Sequence, residues 1–405
     1  MQKKLGIIGG GAAAFFAALN VAELNPEIEI HIFEKAAQFL SKVKISGGGR
    51  CNVTNACFEP AELIKNYPRG AKELLGPFHI FNPADTVEWF ENKNVSIQAE
   101  EDGRMFPRSN SSQTIIDCFL SASHENNIHL HLQTGVQDIQ KANDKWQLTF
   151  LNKEIFDCDY LLIASGSSNQ IWNCISALEH TIVPPVASLF TFNIQDNRLE
   201  GLMGVSIPDV ICSIENTKIK TDGPLLITHW GLSGPAVLKL SAWAARELHA
   251  LNYNFKLKVN FIPGYEFAAC YQLLQSLKIS SPKKLIHNTS IENIPSRLHK
   301  SLCEFVGISP SLNWADISKD KMQLLAQTFT QSIFNVQGKS NFKDEFVTCG
   351  GVELNEVDFK TMQSKLHNNL YFAGEVLNID AITGGFNFQS AWTTAFIAAQ
   401  HIGRS

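Results

Sequence analysis

The sequence predicts an α/β fold in which a nucleotide-binding domain is built from both ends of the chain and interrupted by a β-rich domain. Three observations predict it. A strand, a glycine turn, a helix and a second strand follow one another within residues 5–34. Near the C-terminus, the apolar segment 369–375 precedes a glycine pair and an Ala-rich helix. Between these blocks, residues 188–258 change to short segments typical of strands.

The N-terminal block has the spacing of a dinucleotide fingerprint, with small residues at Gly9, Gly11 and Ala14. The first glycine permits a tight turn, the second lets backbone N–H groups approach a pyrophosphate, and Ala14 allows close packing of helix on strand. Glu34 follows twenty positions after Ala14, where a carboxylate accepts hydrogen bonds from ribose hydroxyls. An ordinary glycine turn that binds nothing is the alternative.

The next segment contains three consecutive glycines, residues 47–49, followed by Arg50. Such a run is costly inside a helix or strand. It favours a loop pressed against a flat or anionic ligand, with Arg50 as a fixed cation. A flexible surface hairpin is the alternative interpretation.

Further elements are expected in chain order. Helices are predicted within 60–98, including 84–94, at 111–125, at 236–249 and within 264–330. Strands are predicted at 128–132, 146–150, 154–156, 159–163, 189–194, 210–214 and 225–229. Residues 181–186, which contain a Pro pair, are expected to leave the first domain.

The C-terminal block predicts a strand that ends at Gly374-Glu375 and a helix opened by Gly384-Gly385. This places a second helix N-terminus beside an electron-rich group. The nucleotide site is therefore expected to combine both ends of the chain.

Composition limits the class of function. The 405 residues carry a net charge of −5 with a pI of about 6.2, which gives no indication of a polyanionic partner, so no nucleic acid is expected. No apolar run is long enough to cross a bilayer, so no membrane association is expected. The nine scattered cysteines lack C-x-x-C spacing, which is typical of reduced thiols in a cytoplasmic protein. Two histidines, His129 and His131, make a poor metal site without a third ligand, so no metal is predicted.

The motifs G-G-G-A-A-A, K-x-x-x-S-G-G-G-R-C-N-x-T-N, G-R-x-F-P, T-H-x-G-L-S-G-P-A, C-G-G-V and A-G-E followed by G-G-F-N occur in this order along the whole chain. Together they resemble the BaiN/RdsA (YhiN-type) family of FAD-dependent, NAD(P)H-linked oxidoreductases. The segments 42–55 and 373–392 are the most diagnostic. The family includes an enoyl reductase that acts on a bile-acid intermediate, and some members have been labelled amine oxidases.

The resemblance implies a Rossmann-like FAD-binding domain of the two-dinucleotide-binding-domain flavoprotein type, interrupted by a β-barrel-like domain with a helical insertion. The implied boundaries are 1–187 and 345–405 for the FAD domain, 188–262 and 331–344 for the barrel-like domain, and 263–330 for the helical insertion. It also implies FAD as cofactor, with NADPH or NADH as a transient electron donor. The residues that would border the cofactor are Gly9, Gly11, Ala13, Ala14, Glu34, Lys35, Lys42, Gly49, Arg50, Cys51, Asn52, Val136, Ala164, Ser165, Gly166, Gly374, Glu375, Gly385, Phe386 and Asn387.

One departure from the family pattern is visible. Leu40-Ser41 stands where the family has Gly-Arg before the lysine, which weakens any contact between residue 41 and a phosphate.

The expected function is a FAD-dependent oxidoreductase that passes hydride from NAD(P)H to an unsaturated or carbonyl small molecule. The absence of a second fingerprint argues against a dedicated NAD(P)H domain. Either the nicotinamide binds transiently in the substrate cleft, or the electron donor is a different molecule. The alternatives are an amine-type oxidase that uses oxygen, and a non-catalytic FAD-binding or RNA-associated protein.

No catalytic residue is assigned. Cys51 beside Arg50 is open to a thiolate role, but a small buried packing residue is favoured. His229 is open to an acid role, but a structural histidine is favoured. Arg104 and Arg108 suit either an anionic substrate or surface ion pairs.

Overall fold

The computed structural model describes residues 2–339 and 347–405. The described residues form two compact units, one up to Val186 and again from 347 onward, the other from Ala187 to 339. The helices predicted within 264–330 belong to the second unit. The expected boundary between residues 344 and 345 lies outside the described residues.

The strands run in chain order as β1 (Lys4–Ile8), β2 (Glu29–Phe33), β3 (Thr54–Asn55), β4 (Ile97–Ala99), β5 (Arg104–Pro107), β6 (His129–His131), β7 (Val136–Ala142), β8 (Lys145–Phe150), β9 (Ile155–Cys158), β10 (Tyr160–Ile163), β11 (Ile182–Ser188), β12 (Phe192–Ile194), β13 (Ser206–Ile214), β14 (Lys220–Ile227), β15 (Gly231–Ser233), β16 (Asn254–Asn260), β17 (Ser332–Lys339), β18 (Val347–Val352), β19 (Val357–Asp358), β20 (Gln363–Ser364) and β21 (Leu370–Phe372). The helices are α1 (Ala12–Leu24), α2 (Ser41–Gly49), α3 (Pro60–Leu63), α4 (Ala71–Ile80), α5 (Pro83–Glu91), α6 (Ser112–Glu125), α7 (Asn169–Ala177), α8 (Pro235–Trp243), α9 (Ala245–Ala250), α10 (Phe267–Ser280), α11 (Ser296–Phe305), α12 (Lys319–Gln331) and α13 (Phe386–Arg404).

The first unit is organised around a seven-stranded sheet in the order β19-β20-β21-β10-β1-β2-β6. The strands from β21 to β6 pair in parallel, while β19, β20 and β21 pair antiparallel. The C-terminal strand β21 therefore lies two positions from the N-terminal strand β1, with β10 between them. Because parallel strands align their carboxyl ends, the loops after β1, β10 and β21 open at the same edge of the sheet.

An antiparallel sheet and a pair of helices pack against this sheet. On one face the antiparallel sheet β7-β8-β9 approaches so closely that a Cβ at Gly6 would lie 3.0 Å from the Cys158 sulfur. Helices α1 and α13 pack against each other, with the Phe16 and Trp392 ring centroids 5.2 Å apart. A Cβ at Gly403 would lie 2.9 Å from Leu24 Cβ, so the two helices are in close contact near their C-terminal ends.

Local signals explain several boundaries. Helix α5 begins at Pro83 after Asn82, whose side chain accepts from the Ala84 N–H at 2.7 Å while the Asp85 carboxylate accepts from the Asn82 N–H at 2.7 Å. The Ser111 hydroxyl caps α6 by accepting from the Gln113 N–H. The helix start that we predicted at 84 therefore lies one residue earlier.

Two segments add detail to the predicted elements. The glycine run 47–49, predicted as a loop, leaves helical geometry with a positive φ at each glycine, and a helical segment that was not predicted precedes it from Ser41. The helix expected over 236–249 is divided into α8 and α9, since Ala244 leaves helical geometry between them.

The second unit contains a closed six-stranded barrel in the order β12-β15-β14-β13-β16-β17. Its strands alternate inward and outward residues, as in β16, where Leu257 and Val259 are fully buried between more exposed neighbours. The helices α10, α11 and α12 form an insertion in the sequence between the barrel strands β16 and β17.

Candidate functional site

The first glycine turn connects β1 to α1. Gly9 donates its N–H to the Phe33 carbonyl at 2.9 Å, and its φ of +104° suits glycine. A Cβ at Gly9 would lie 2.5 Å from the Ala164 carbonyl oxygen, so the turn is pressed against the end of β10. Gly11, by contrast, has no atom within 4 Å of its Cβ position.

The N-terminus of α1 presents backbone N–H groups next to this open position. Gly11 is the N-cap and provides no side-chain hydrogen bond, and the first turn carries no acidic residue. Ala13 and Ala14 are buried within the helix packing. Small residues, open space and uncapped N–H groups together form a cradle suited to a pyrophosphate.

Glu34 lies directly after β2 and anchors the same turn. One carboxylate oxygen accepts from the Gly10 N–H at 2.7 Å and the other accepts from the Ala36 N–H at 2.8 Å. Each carboxylate oxygen has a second lone pair, so these bonds are compatible with ribose hydroxyls as additional donors. Lys35 beside it is exposed, and Val136 is buried at the start of β7.

The turn after β10 forms the second wall. Ala164 donates its N–H to the Ile8 carbonyl at 2.9 Å, which fixes Ala164-Ser165 beside Gly9. A Cβ at Gly166 would lie 3.5 Å from a Glu375 carboxylate oxygen and 3.9 Å from Lys42 Nζ.

Lys42 joins the N-terminal and C-terminal parts of this wall. Its Nζ lies 2.6 Å from Glu375 Oε2 and 3.4 Å from Ser167 Oγ. The other Glu375 oxygen accepts from the Thr348 N–H at 3.0 Å. Three predicted positions, at residues 42, 166 and 375, are thus neighbours in the structure.

The glycine run leaves Gly48 and Gly49 with no atom within 4 Å of their Cβ positions. The following Arg50 lies over the Phe106 ring, 3.9 Å from its centroid, and donates to Glu100 at 2.6 Å. Its charge is therefore compensated within the protein, which weakens the expectation that it acts as a fixed cation towards a ligand. The glycines remain the part of this loop that is open to close approach.

Cys51 is completely buried, and burial raises the pKa of its thiol to about 12. A thiol with this pKa is neutral at physiological pH, which supports a packing role and argues against a thiolate. The neighbouring Asn52 accepts from the Met105 N–H at 3.3 Å and so holds the loop against β5.

The C-terminal anchor packs directly on the N-terminal fingerprint. A Cβ at Gly374 would lie 3.0 Å from Ala13 Cβ, and the Gly374 N–H donates to Thr394 Oγ1 at 3.0 Å. Gly385 caps α13, and a Cβ there would lie 2.3 Å from the Thr54 carbonyl oxygen. The two ends of the chain therefore share one site in the first unit.

The loop before α13 is tied by its own side chains. Asn387 accepts from the Ala381 N–H at 3.0 Å and donates to the Ala381 carbonyl at 3.1 Å. The Phe386 carbonyl accepts from the Tyr67 hydroxyl at 2.6 Å. Tyr67 is fully buried, and burial raises its pKa well above the ordinary value.

Sequence reasoning missed an ion pair that supports this loop. Asp380 is completely buried and bonded to the Arg69 guanidinium through both of its oxygens. A charged residue within the apolar segment 376–382 was the available indication, because a buried carboxylate requires a partner. Arg69 gives no comparable sign, since it is distant in sequence.

Two further candidates lie one in each unit. His229 is exposed in the second unit, where its ring contacts Trp230. Arg104 forms ion pairs with Glu100 and Asp102, which favours the surface ion-pair interpretation.

In the structure, His129 lies close to two other side chains that could bind a metal ion, Glu29 and His31. Glu29, His31 and His129 each offer a ligand atom within 4.8 Å of the others, because β2 and β6 pair in register. His31 is already bonded to Glu29 at 2.7 Å and to His131 at 3.0 Å. Burial lowers the pKa of His31, which favours its neutral ring, and both ring nitrogens of His31 are already engaged by Glu29 and His131.

The geometry fits FAD. The open Cβ position at Gly11 lies at an uncapped helix N-terminus, and Glu34 lies at the end of the adjacent strand. The Cβ positions of Gly48 and Gly49 are open as well. These are the features by which α/β folds hold a dinucleotide at the carboxyl edge of the sheet.

Comparisons with known proteins agree with this geometry. The family model described as the HI0933-like protein Rossmann domain matches residues 3–401. Two curated relatives carry the name ribosomal RNA dihydrouridine synthase. The one from Escherichia coli K12 is 28% identical over 98% of this chain and 97% of its own length. The one from Haemophilus influenzae is 27% identical over 98% of both chains.

A third curated relative, the 3-dehydro-bile acid delta(4,6)-reductase of Clostridium scindens, is 23% identical over 98% of both chains. Among solved structures, the 3-ketosteroid delta1-dehydrogenase of Sterolibacterium denitrificans matches with a TM-score of 0.52 at 11% identity, over 99% of this chain and 100% of that one. The predicted fold class is thereby confirmed. Within the described residues, every helix is too short or too polar to span a membrane.

Proposed function

The chain belongs to the HI0933-like Rossmann-domain family of FAD-dependent oxidoreductases, and from this premise we propose that it reduces a carbon–carbon double bond conjugated to a carbonyl, in a uracil base of ribosomal RNA. Family membership confirms the resemblance to BaiN/RdsA proteins that the motifs indicated. It also confirms a FAD-dependent oxidoreductase as the class of enzyme.

One observation carries the proposal. Relatives aligned over nearly the whole chain bear two names that describe the same chemistry. Dihydrouridine is uridine whose C5–C6 double bond, conjugated to the C4 carbonyl, has been saturated. A delta(4,6)-reductase of a 3-oxo steroid saturates a double bond conjugated to the C3 carbonyl. In uridine the carbon β to the carbonyl gains a hydride and the α carbon gains a proton. In a 4,6-dien-3-one the hydride adds in the same way to a carbon made electrophilic by the carbonyl, at the β position or at the δ position of the extended conjugation.

The choice of ribosomal RNA rests on the two relatives at 27% and 28% identity, against 23% for the bile-acid enzyme. This choice departs from the expectation of a small-molecule substrate without nucleic acid, which relied on the net charge of the whole chain. A small conjugated ketone is the competing substrate class, and the bile-acid relative is the observation that favours it.

When bound, FAD supplies the hydride for this reduction. We propose that the uncapped turn at Gly11 holds the pyrophosphate and that Glu34 holds the adenosine ribose. The open positions at Gly48 and Gly49, together with the N-terminus of α13 at Gly385, would accept the flavin end. The loop 376–382, fixed by the Arg69–Asp380 pair, would keep this arrangement rigid.

NADPH or NADH is proposed as the electron donor. The fingerprint at Gly9 is assigned to FAD, and the sequence contains no second fingerprint with strand context. The nicotinamide would therefore bind transiently in the substrate cleft, and leave before the acceptor binds.

The test is a reaction of the FAD-loaded protein with NADPH and ribosomal RNA transcribed in vitro, which contains only unmodified uridine. We expect dihydrouridine to appear in nucleoside digests analysed by mass spectrometry, and to require both NADPH and FAD. A parallel reaction contains a 3-oxo-Δ4 steroid in place of RNA.

Turnover of the steroid without any dihydrouridine in the RNA would contradict the RNA substrate while leaving the reductase chemistry intact. Oxygen-dependent oxidation of an amine without consumption of either acceptor would contradict the reductase and favour the oxidase alternative.

A further inference from the structure

Charge is distributed unevenly along the chain. Residues 187–339 contain fifteen Lys and Arg against eleven Asp and Glu, a net charge of +4. Since the whole chain carries −5, the remaining residues carry −9. Such asymmetry between parts of a chain is typical of a protein with a charged partner. The net charge of the whole chain therefore does not show that the second unit is basic.

Part of this positive charge lies on one outward face of the barrel. Cys212 in β13 and Val259 in β16 point inward and are fully buried. Their neighbours Ser213 and Lys258 therefore point outward. Ser213 pairs with Lys220 on one side and with Lys258 on the other, so the two lysines flank one residue across three strands.

Two further lysines extend this row. Lys256 lies two residues before Lys258 on the same face of β16, and Lys218 lies in the turn between β13 and β14. Lys218, Lys220 and Lys256 are exposed and Lys258 is half-buried. We call these four residues the lysine face.

Acidic residues compensate this face only in part. Glu215 lies 3.4 Å from Lys256, and Asp222 is exposed on β14. Within the described residues, Lys220 and Lys258 have no carboxylate within ion-pair distance. The ammonium groups of Lys220 and Lys258 are therefore available to bind an anion, and strands β14 and β16 fix the positions of their backbones.

We propose that the lysine face binds the phosphate backbone of ribosomal RNA, an inference that rests on the proposed RNA substrate. Neighbouring strands are about 4.8 Å apart and alternate residues about 7 Å apart. Lys220 and Lys258 are thus roughly 10 Å apart at the backbone, and Lys256 and Lys258 about 7 Å. Long side chains on such a grid reach successive phosphates, and lysine supplies a point charge that reads no sequence.

The face would supply affinity, while the choice of uridine would belong to the site in the first unit. This division is the usual one in nucleic-acid recognition, where phosphate contacts position the polymer and base contacts specify it. It also reconciles a net charge of −5 with a polyanionic substrate.

The experiment measures binding of a fluorescently labelled, uridine-rich stem-loop RNA to the FAD-loaded full-length protein at several salt concentrations. The test variant is Lys220→Gln with Lys258→Gln. The matched control is Lys72→Gln, because Lys72 is exposed in the first unit on α4. Retained flavin and thermal unfolding verify that each variant is folded.

We expect the double variant to bind about tenfold more weakly at low salt, with the slope of log affinity against log salt reduced by about 1.5–2. The Lys72 variant should match the wild type in both respects. In both variants, the rate of flavin reduction by NADPH should equal that of the wild type.

A wild-type slope in the double variant, or an equal loss in the Lys72 variant, would overturn the lysine face while leaving the RNA substrate in place. A wild-type protein that binds no RNA at any salt concentration, yet reduces the steroid, would contradict the RNA substrate and the lysine face together.

Discussion

Glu34 is the residue whose role is most directly testable, since its two oxygens hold the turn and are proposed to bind ribose. Glu34→Ala removes the acceptors of the Gly10 and Ala36 N–H groups. Hydrogen bonds to charged groups contribute about 1.5–3 kcal/mol each. We therefore expect the Kd for FAD to rise at least about tenfold, measured by calorimetry on the apoprotein.

Glu34→Gln is the matched control, because its carbonyl oxygen still accepts one hydrogen bond without the charge. The Kd of this variant for FAD should lie between the values of the wild type and of the alanine variant. Equal FAD affinity in all three proteins would place the ribose away from Glu34.

A substitution at Gly9 tests whether the first glycine turn packs tightly against the end of β10. Gly9→Ala would put a Cβ 2.5 Å from the Ala164 carbonyl oxygen at a φ of +104°. We expect this change to lower the free energy of unfolding by about 2 kcal/mol or more and to release FAD. Urea unfolding and the visible flavin absorbance measure the two effects.

Gly76→Ala is the contrast, because Gly76 lies inside α4 with no atom within 4 Å of its Cβ position. It should raise stability by about 0.5–1 kcal/mol and leave flavin binding unchanged. Similar effects of the two substitutions would argue against a specific contact at Gly9.

The sequence departure at Leu40 also has a structural explanation. Leu40 is buried with a φ of +56°, at the N-cap of α2, where the family pattern has glycine. Burial of the leucine side chain offsets a backbone conformation that glycine adopts without strain. The sequence revealed the substitution, but not the conformation that the position requires.

At the level of elements, helix α11 carries a buried histidine that links stability to pH. Burial, and secondarily the neighbouring His287, lowers the pKa of His299 to about 4. In the unfolded chain the ordinary pKa is about 6.5. Between these values the unfolded chain binds a proton that the folded chain does not, so stability falls as the pH decreases from 6.5 towards 4.

The expected loss is of the order of 3 kcal/mol and is absent above pH 6.5. Urea unfolding from pH 7 to pH 4 measures it, with His299→Leu as the control that lacks this proton. A constant difference between the two proteins across the range would contradict a neutral buried His299.

Elements with strong local patterns could be predicted from the sequence. The β1–α1–β2 unit, the Ser111-capped α6 and the final α13 depend on glycine, caps and apolar periodicity, which the sequence displays. The loop at the glycines 47–49 could be predicted from the sequence, whereas the helical segment before it was not predicted. The first helical turn of α2 is held by the buried side chains of Leu40 and Val43, and their packing is tertiary information.

The candidate site likewise combines residues that local sequence patterns predict with residues whose positions depend on tertiary structure. Residues within a fingerprint could be named, whereas the partners that fix them could not. The Lys42–Glu375 and Arg69–Asp380 pairs join residues more than three hundred positions apart. Their proximity follows from the position of β21 beside β10, which no local pattern encodes.

At the level of the whole molecule, the closed barrel and the parallel sheet belong to separate units with different charge. A net charge summed over both units hides this difference. The expectation of no nucleic acid, which relied on the summed charge, therefore stays a prediction, and the charge on individual strands supports the proposed partner.

The central claim is that this chain holds FAD and takes electrons from a nicotinamide. An anaerobic titration of the purified, FAD-supplemented protein with NADPH, followed at the visible flavin band, tests it most directly. The account predicts a protein-bound flavin band that bleaches stoichiometrically with NADPH, or with NADH if that is the preferred donor. A protein that binds no flavin after addition of FAD, or one whose flavin neither nicotinamide reduces, would contradict it.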